Sequence, residues 1–285
     1  MPALGNALGL PFGNGGPRFK GALDVYASGL VALYSPFKRL LSSYTGNGIR
    51  VRRSSDSTLQ WIGFKADGTF DSASYLDFIG AGNGFAHTVA DQSGAGLDQT
   101  QTTAAAQAQI GVDGNGDYYL YAPGAGSGTT SYQVAVSPAI AAPQFMIWGV
   151  GASSGIWQIP INLRDNTALK ERSLMNYGNS INVNFGDNAT GSIPASISLT
   201  PSSVYSCVFG ANGSESKMTN RLSTTTGTRV ASSCNIESVQ IGKVSGGAAW
   251  LQNAPWYMGG AWISYSAANL AAIATLGKTL IPAAQ

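Results

Sequence analysis

Residues 49–54 alternate with a period of two, Ile49, Val51 and Arg53 standing against Arg50, Arg52 and Ser54. Successive side chains leave opposite faces of a sheet, so this period predicts a half-buried strand. Extended chain continues through Trp61, Gly63 and Phe64 to a turn tripeptide, Ala66-Asp67-Gly68. Asp71 and Ser72 then occupy a helix N-cap position, with Tyr75, Leu76 and Ile79 following at helical spacing and Gly80 and Gly82 as a stop. Phe85, His87 and Val89 form another alternating run, closed by Asp91-Gln92-Ser93-Gly94-Ala95-Gly96. Strand, turn, short helix, strand and glycine-rich corner in that order restrict the fold more than any one piece does.

The remaining chain repeats short extended runs at regular spacing. Strands are predicted at Tyr132–Val136, Gln144–Val150, Gly155–Leu163, Ile181–Phe185, Ser196–Leu199 and Val204–Phe209, separated by Gly/Asn/Asp turns such as Arg164-Asp165-Asn166. Such punctuation predicts an antiparallel sandwich. Asp113-Gly114-Asn115-Gly116-Asp117 has the opening of a calcium loop, but Tyr118 stands where that loop needs glycine and no glutamate closes it. A hairpin turn between Ile110–Val112 and Tyr118–Tyr121 explains it better. Leu23 to Leu41 is expected to be helical in places, with Pro36 breaking it into two short turns. Near the end, Val239–Gly242 and Trp256–Tyr265 are expected strands, and Ser266 caps a short helix carrying Leu270, Ile273, Ala274 and Leu276. The simplest organisation is one domain over 21–285 behind an extended arm over 1–20.

The central stretch resembles the concanavalin-like, laminin-G-like sandwich domains related to the catalytic domain of α-L-arabinofuranosidase B. The matching residues are Ser43-Tyr44, Gly48 with Ile49-Arg50-Val51-Arg52-Arg53-Ser54-Ser55-Asp56, Gly63-Phe64, Asp67-Gly68, and Asp91-Gln92-Ser93-Gly94 with Gly96. The resemblance is plain over residues 22–110 and weaker over 238–281. It implies an all-β fold, an antiparallel β-sandwich (concanavalin-like jelly roll) with short helices. Similar domains occur in bacteriophage virion proteins.

The enzymes of that family use two carboxylates, a nucleophile and an acid/base. The resemblance puts the nucleophile in an acidic-Leu-Glu-Asn-Gly motif, yet the glutamates here are Glu171, Glu215 and Glu237, in Lys-Glu-Arg, Ser-Glu-Ser and Ile-Glu-Ser. The acid belongs in a Gly-Asp-Asn loop, where this chain reads Gly242-Lys243-Val244-Ser245-Gly246. The scaffold is shared and the catalytic pair is missing, so no catalytic residue is assigned.

Composition narrows the partners. Charged residues are 11% of the chain and the formal charge is +2, which points to neither nucleic acid nor an anionic membrane. So little charge suggests that part of the surface is covered in an assembly. No run approaches the roughly 18 apolar residues of a membrane span. The N-terminus has no basic residue before Arg18 and makes a poor signal peptide, so synthesis in the host cytoplasm is expected. Cys207 and Cys234 leave two readings open, a bridge between neighbouring strands or two buried thiols.

Candidate site residues are few. The single histidine, His87, lies on an expected strand and reads as a satisfied, half-buried side chain. No His, Cys or carboxylate cluster has metal-ligand spacing, so no metal or cofactor is assigned. Arg50, Arg52 and Arg53 with Lys38, Arg39 and Lys65 form a basic cluster, expected to ion-pair along a sheet face with Asp56 and Asp67. Trp250, Asn253, Trp256 and Tyr257 fall in a loop-like stretch rich in small residues. They are the candidate carbohydrate site, core or interface packing being the competing reading. In the arm, Leu4, Leu8, Leu10, Phe12 and Phe19 are expected to dock on a neighbouring subunit.

These features lead to the expectation of a non-enzymatic bacteriophage virion structural protein, a head decoration or head/tail fibre at the virion surface. Its expected partners are other virion proteins, copies of itself (a trimer among the arrangements) and a host-surface glycan. The competing expectation is an arabinofuranosidase-type glycoside hydrolase acting on a surface polysaccharide.

Overall fold

Strand pairing in this molecule is antiparallel throughout the described residues. The computed structural model describes residues 19–122, 130–142, 145–151, 158–168, 170–177, 180–187, 190–198, 203–209, 216–219, 224–227, 234–242 and 255–263, with 272, 276 and 280. Side chains are described over 19–122, 130–141, 161–168, 235–242 and 255–263 and at those last three positions. The first strands are β1 (Leu30–Tyr34), β2 (Ile49–Arg53), β3 (Leu59–Ile62), β4 (Gly84–Val89), β5 (Gln99–Thr100), β6 (Gln109–Val112) and β7 (Tyr118–Tyr121). Helix α1 (Ser72–Ile79) lies between β3 and β4. There follow β8 (Tyr132–Ala142), β9 (Phe145–Gly151), β10 (Gln158–Asp165), β11 (Lys170–Tyr177), β12 (Ser180–Asp187) and β13 (Thr190–Ser198). The last are β14 (Ser203–Phe209), β15 (Ser216–Thr219), β16 (Thr224–Gly227), β17 (Cys234–Ile241) and β18 (Trp256–Trp262).

The ladders form two runs. One is β1-β18-β9-β14-β15-β16. The other is β3-β2-β4-β5-β8-β17-β10-β11-β12-β13. The β6–β7 hairpin joins them, Gln109 pairing with Phe85 of β4 and Leu120 with Trp256 of β18. The expected all-β sandwich is what the chain forms.

The core follows from the alternation. Ile49 and Val51 of β2 are buried beside Ile62, Ala86 and Val89, while Arg50 and Arg52 stay half-buried on the other face. Val31, Ala32 and Tyr34 of β1, Trp256 and Ala261 of β18, and Val239 and Ile241 of β17 complete one cluster. Burying one such aliphatic side chain contributes about 1.5–3 kcal/mol. A second cluster gathers Leu23, Leu33, Leu40, Leu41, Tyr257, Met258, Trp262 and Leu280.

Several local expectations hold. The Asp71 carboxylate caps α1, accepting from Ser74 N at 3.2 Å, and the helix stops at Gly80. Gly68 carries φ +82 in the 65–69 turn, and Thr69 N donates to the Asp67 carboxylate. Residues 113–117 close the β6–β7 hairpin, Asp113 N donating to Asp117 O at 3.0 Å. Others are corrected. Leu30–Tyr34, expected to be helical, is a strand paired to β18, and only Asp24–Tyr26 forms a 3₁₀ turn. Phe78, rather than Leu76, faces the core from α1. On β4 Gly84, Ala86, Thr88 and Val89 are buried and Phe85 and His87 half-buried, so of the expected run Phe85, His87 and Val89 only Val89 enters the core. Cys207 and Cys234 lie on β14 and β17, which are not neighbours in the described pairings, so a bridge between adjacent strands is not what the fold offers. The expected closing helix falls mostly outside the described residues; positions 272, 276 and 280 are helical.

Candidate functional site

The corner after β4 builds the site's floor. Asp91 and Gln92 are buried, and both spend their side chains on backbone. Asp91 accepts from Leu33 N at 2.9 Å, Ser93 N at 2.9 Å and Leu97 N at 3.1 Å. Gln92 accepts from Leu40 N at 2.8 Å and donates to the carbonyls of Ser35 at 2.7 Å and Lys38 at 2.8 Å. These bonds fix segment 35–40, which the break at Pro36 leaves without a ladder of its own. A bridge between Lys38 and Thr69 and a bond from Arg39 N to Gly68 O tie the same segment to the 65–69 turn.

Over this floor lies a cavity of about 270 Å³. Its walls come from residues 35–38, the 65–72 turn, the hairpin tip at Gly116-Asp117-Tyr118, Tyr257 and Met258 of β18, and Leu280. Phe37, Phe70 and Tyr118 make the apolar wall, with ring centroids 5.1 Å apart for Phe37–Phe70 and 4.9 Å for Phe70–Tyr118. Tyr257 locks the tip in place by donating to the Asp113 carboxylate at 2.8 Å, and Asp113 also accepts from Asn115 N and Asp117 N.

The polar wall is incompletely satisfied. Lys38 donates to Leu280 O at 3.0 Å. Burial pushes its ammonium below the ordinary lysine value, against the pull of Asp117 and Asp67. Asp117 is pushed up, chiefly by burial and then by Asp113, with Lys38 opposing. Asp117 Oδ2 and Ser35 Oγ are buried atoms with no hydrogen-bond partner, although polar atoms out of water ordinarily have one.

The residues expected to carry function are placed differently. Trp256 and Tyr257 are not loop rings facing solvent: they lie on β18, 0% and 4% exposed. A strand covered on both faces has no solvent side to offer a sugar, and of the pair only Tyr257 lines the cavity. Trp250 and Asn253 lie outside the described residues. Phe19 packs on its own chain, with the Arg39 guanidinium 3.9 Å from its ring centroid and Gly68 beneath it. It therefore belongs to the domain and not to a free arm; Leu4, Leu8, Leu10 and Phe12 lie outside the described residues. His87 bonds its neighbour Thr88 at 2.9 Å. Of the basic cluster, Arg53 pairs with Asp56 at 2.6 Å. Arg52 instead bonds Gln107 at 2.6 Å and stacks on Phe85, so ion pairing along the face is corrected to one local pair among the described residues.

Carboxylates are mostly committed. Glu237 accepts from Asn166 N and Thr167 N, and Asp165 from Ala168 N and Asn235 N, both clamping the 165–168 turn. The side chains of Glu171 and Glu215, and the segment 243–246, lie outside the described residues. Among the described residues no His/Cys/Asp/Glu group is arranged to hold a metal ion, and no helix is long and apolar enough to cross a membrane.

A two-run antiparallel sandwich with this corner defines a class, and a family model places the chain within it. The model "Alpha-L-arabinofuranosidase B, catalytic" matches residues 22–240, and the chain belongs to that family. The match crosses the middle of the chain, where the motifs alone gave no resemblance. Among solved structures, a GH54 α-L-arabinofuranosidase soaked with a cyclic sulfate inhibitor is similar at TM-score 0.67 and 18% identity, covering 89% of this chain and 65% of that one. An arabinofuranosidase complexed with arabinofuranosyl-α-1,2-xylobiose matches at TM-score 0.68 and 18% identity, covering 92% and 65%. The chain thus spans less than two thirds of those enzymes' length, and at that identity the likeness is one of fold. Comparison with curated proteins gave no match.

Proposed function

We propose that this chain is a non-hydrolytic member of its family, a glycan-recognising sandwich that serves as a structural protein of a bacteriophage virion, on the head or on a head or tail fibre. The state of the carboxylates carries the first half of this reading. A retaining glycosidase needs two carboxyl groups about 5–5.5 Å apart at the substrate. Among the described residues the cavity is lined by one, Asp117. Asp91, Asp113, Asp165 and Glu237 have both oxygens engaged in holding turns or neighbouring strands. None of Glu171, Glu215 and Glu237 stands in the motif that the resemblance gives for the nucleophile, and residues 242–246 carry no carboxylate where it gives the acid, which supports the same reading. The low share of charge, 11%, and the apolar residues Leu4, Leu8, Leu10 and Phe12 support a role in an assembly.

The test is direct. Purified chain incubated with 4-nitrophenyl α-L-arabinofuranoside and with arabinan is expected to release nothing above buffer, while binding immobilised glycans. Release of arabinose that disappears on substituting a carboxylate overturns the non-hydrolytic reading. Antibody against the chain is expected to label the surface of intact particles; unlabelled particles would remove the virion placement.

A further inference from the structure

We infer that the cavity between segment 35–38, the 65–72 turn and the hairpin tip binds a single uncharged sugar unit through its vicinal hydroxyls. This rests on the glycan-recognising reading above and assigns it a site.

Three observations converge. The volume, about 270 Å³, lies just under the roughly 300–1,000 Å³ of ordinary ligand pockets, which suits one ring and not an oligosaccharide. The walls divide by chemistry: Phe37, Phe70 and Tyr118 offer an apolar face, while Ser35, Lys38 and Asp117 offer polar atoms. Above all, those polar atoms are unspent. Ser35 is 1% exposed and its Oγ has no partner, and Asp117 Oδ2 is likewise buried without one. Lys38 uses one donor on Leu280 O of the three an ammonium carries.

The missing partners specify the ligand. Asp117 Oδ2 needs a donor, Lys38 needs acceptors, and the Ser35 hydroxyl takes either. Adjacent sugar hydroxyls supply donor and acceptor together, and the C–H face of the ring meets the aromatic wall. A carboxylate would satisfy Lys38 but would set a second anion against Asp117. The site is preorganised, because Gln92 fixes the carbonyls of Ser35 and Lys38, and Tyr257 fixes the hairpin tip through Asp113.

Titration of the full chain with methyl glycosides of galactose, glucose and mannose, and with glucuronate, reads the inference by calorimetry or ligand-observed NMR. At least one neutral glycoside is expected to bind in the millimolar range. Ser35→Ala and Asp117→Asn should each weaken it about tenfold, as losing a hydrogen bond to a buried or charged partner does. Both replacements nearly preserve volume, and an unchanged or raised melting temperature shows that the fold survives. Trp61→Ala, at an exposed position of β3 outside the cavity, should leave binding unaltered. Binding of glucuronate alone, of no sugar, or equal binding by both variants overturns the inference. Glycan-array binding that persists in both variants sinks the cavity and leaves the proposed function standing. Arabinoside hydrolysis by a chain whose sugar binding still depends on Ser35 and Asp117 does the reverse.

Discussion

Gln92 shows how one side chain can hold a non-repetitive segment. It satisfies one N–H and two carbonyls of residues 35–40, those of Leu40 and Ser35 buried and that of Lys38 partly so. Gln92→Leu keeps the size of the side chain and leaves those groups unpaired. Each unsatisfied buried group costs about 1–3 kcal/mol. The substitution is therefore expected to lower unfolding free energy by about 2–5 kcal/mol in urea titrations, part of the loss being relieved by local movement. A loss under about 1 kcal/mol would mean that water replaces the amide and that segment 35–40 is not fixed by it. Trp256 gives a second residue-scale test, because a sugar-stacking ring and a core ring respond differently. At 0% exposure in the main cluster, Trp256→Ala should cost about 3–5 kcal/mol. A variant that kept its stability and lost only glycan binding would return Trp256 to the role the sequence suggested.

Strands β1 and β18 explain both that misassignment and the helical reading of Leu30–Tyr34. In β1, Val31, Ala32 and Tyr34 face one cluster and Leu33 the other. In β18, Trp256 and Ala261 face the first, with Tyr257, Met258 and Trp262 in the second. A strand covered on both sides loses its period of two and reads as a plain apolar run. That is why the half-buried β2, with its arginines, was legible face by face, while β1 read as helical and β18, expected as a strand and found as one, gave no sign that both its faces are covered. The contact between them is testable. Leu33 pairs with Gly260, and a Cβ on Gly260 would lie 3.1 Å from Leu33 Cδ1 and 3.0 Å from the Trp262 ring. Gly260→Ala should cost about 1–3 kcal/mol by overpacking. In a Leu33→Ala background the same change should cost less, since the removed side chain makes room. Additive losses in that double-mutant cycle would show that the two strands are not packed so closely. The corner, the capped helix and the hairpin were legible for the opposite reason: Asp71, Gly68 and Gly116 act within a few residues of themselves. The cavity was not, because Ser35, Thr69, Asp117 and Tyr257 meet only when the sheets close, and no local pattern joins them.

At the scale of the molecule, the sparse charge makes the pH response unusually readable. His87 is the only histidine, and burial, then Arg50 and Arg52, hold its imidazole below the ordinary value. Its charged form is therefore disfavoured in the fold. The unfolded chain binds the proton first as pH falls through about 6.5, and stability drops from there down to the folded value, after which the penalty is constant. Asp117 acts with the opposite sign. Raised by burial and by Asp113, it takes its proton earlier in the folded state, so acidification below its folded value and down to about 3.9 returns stability. Asp56, Asp67 and Asp71 are each held low by hydrogen bonds, from Arg53, Thr69 and Ser74 respectively. Their contribution is complete above about 3.9 and is lost as pH falls through their folded values. Unfolding free energy measured by urea at stepped pH should therefore fall first just below 6.5, flatten or recover, and fall again in strong acid. His87→Gln should remove the first decline and leave the last one in place. Asp117→Asn should raise stability at neutral pH and abolish the recovery. A first decline unchanged in His87→Gln would mean that the histidine is freely solvated in both states, and its burial beside the β2 arginines would have to be given up.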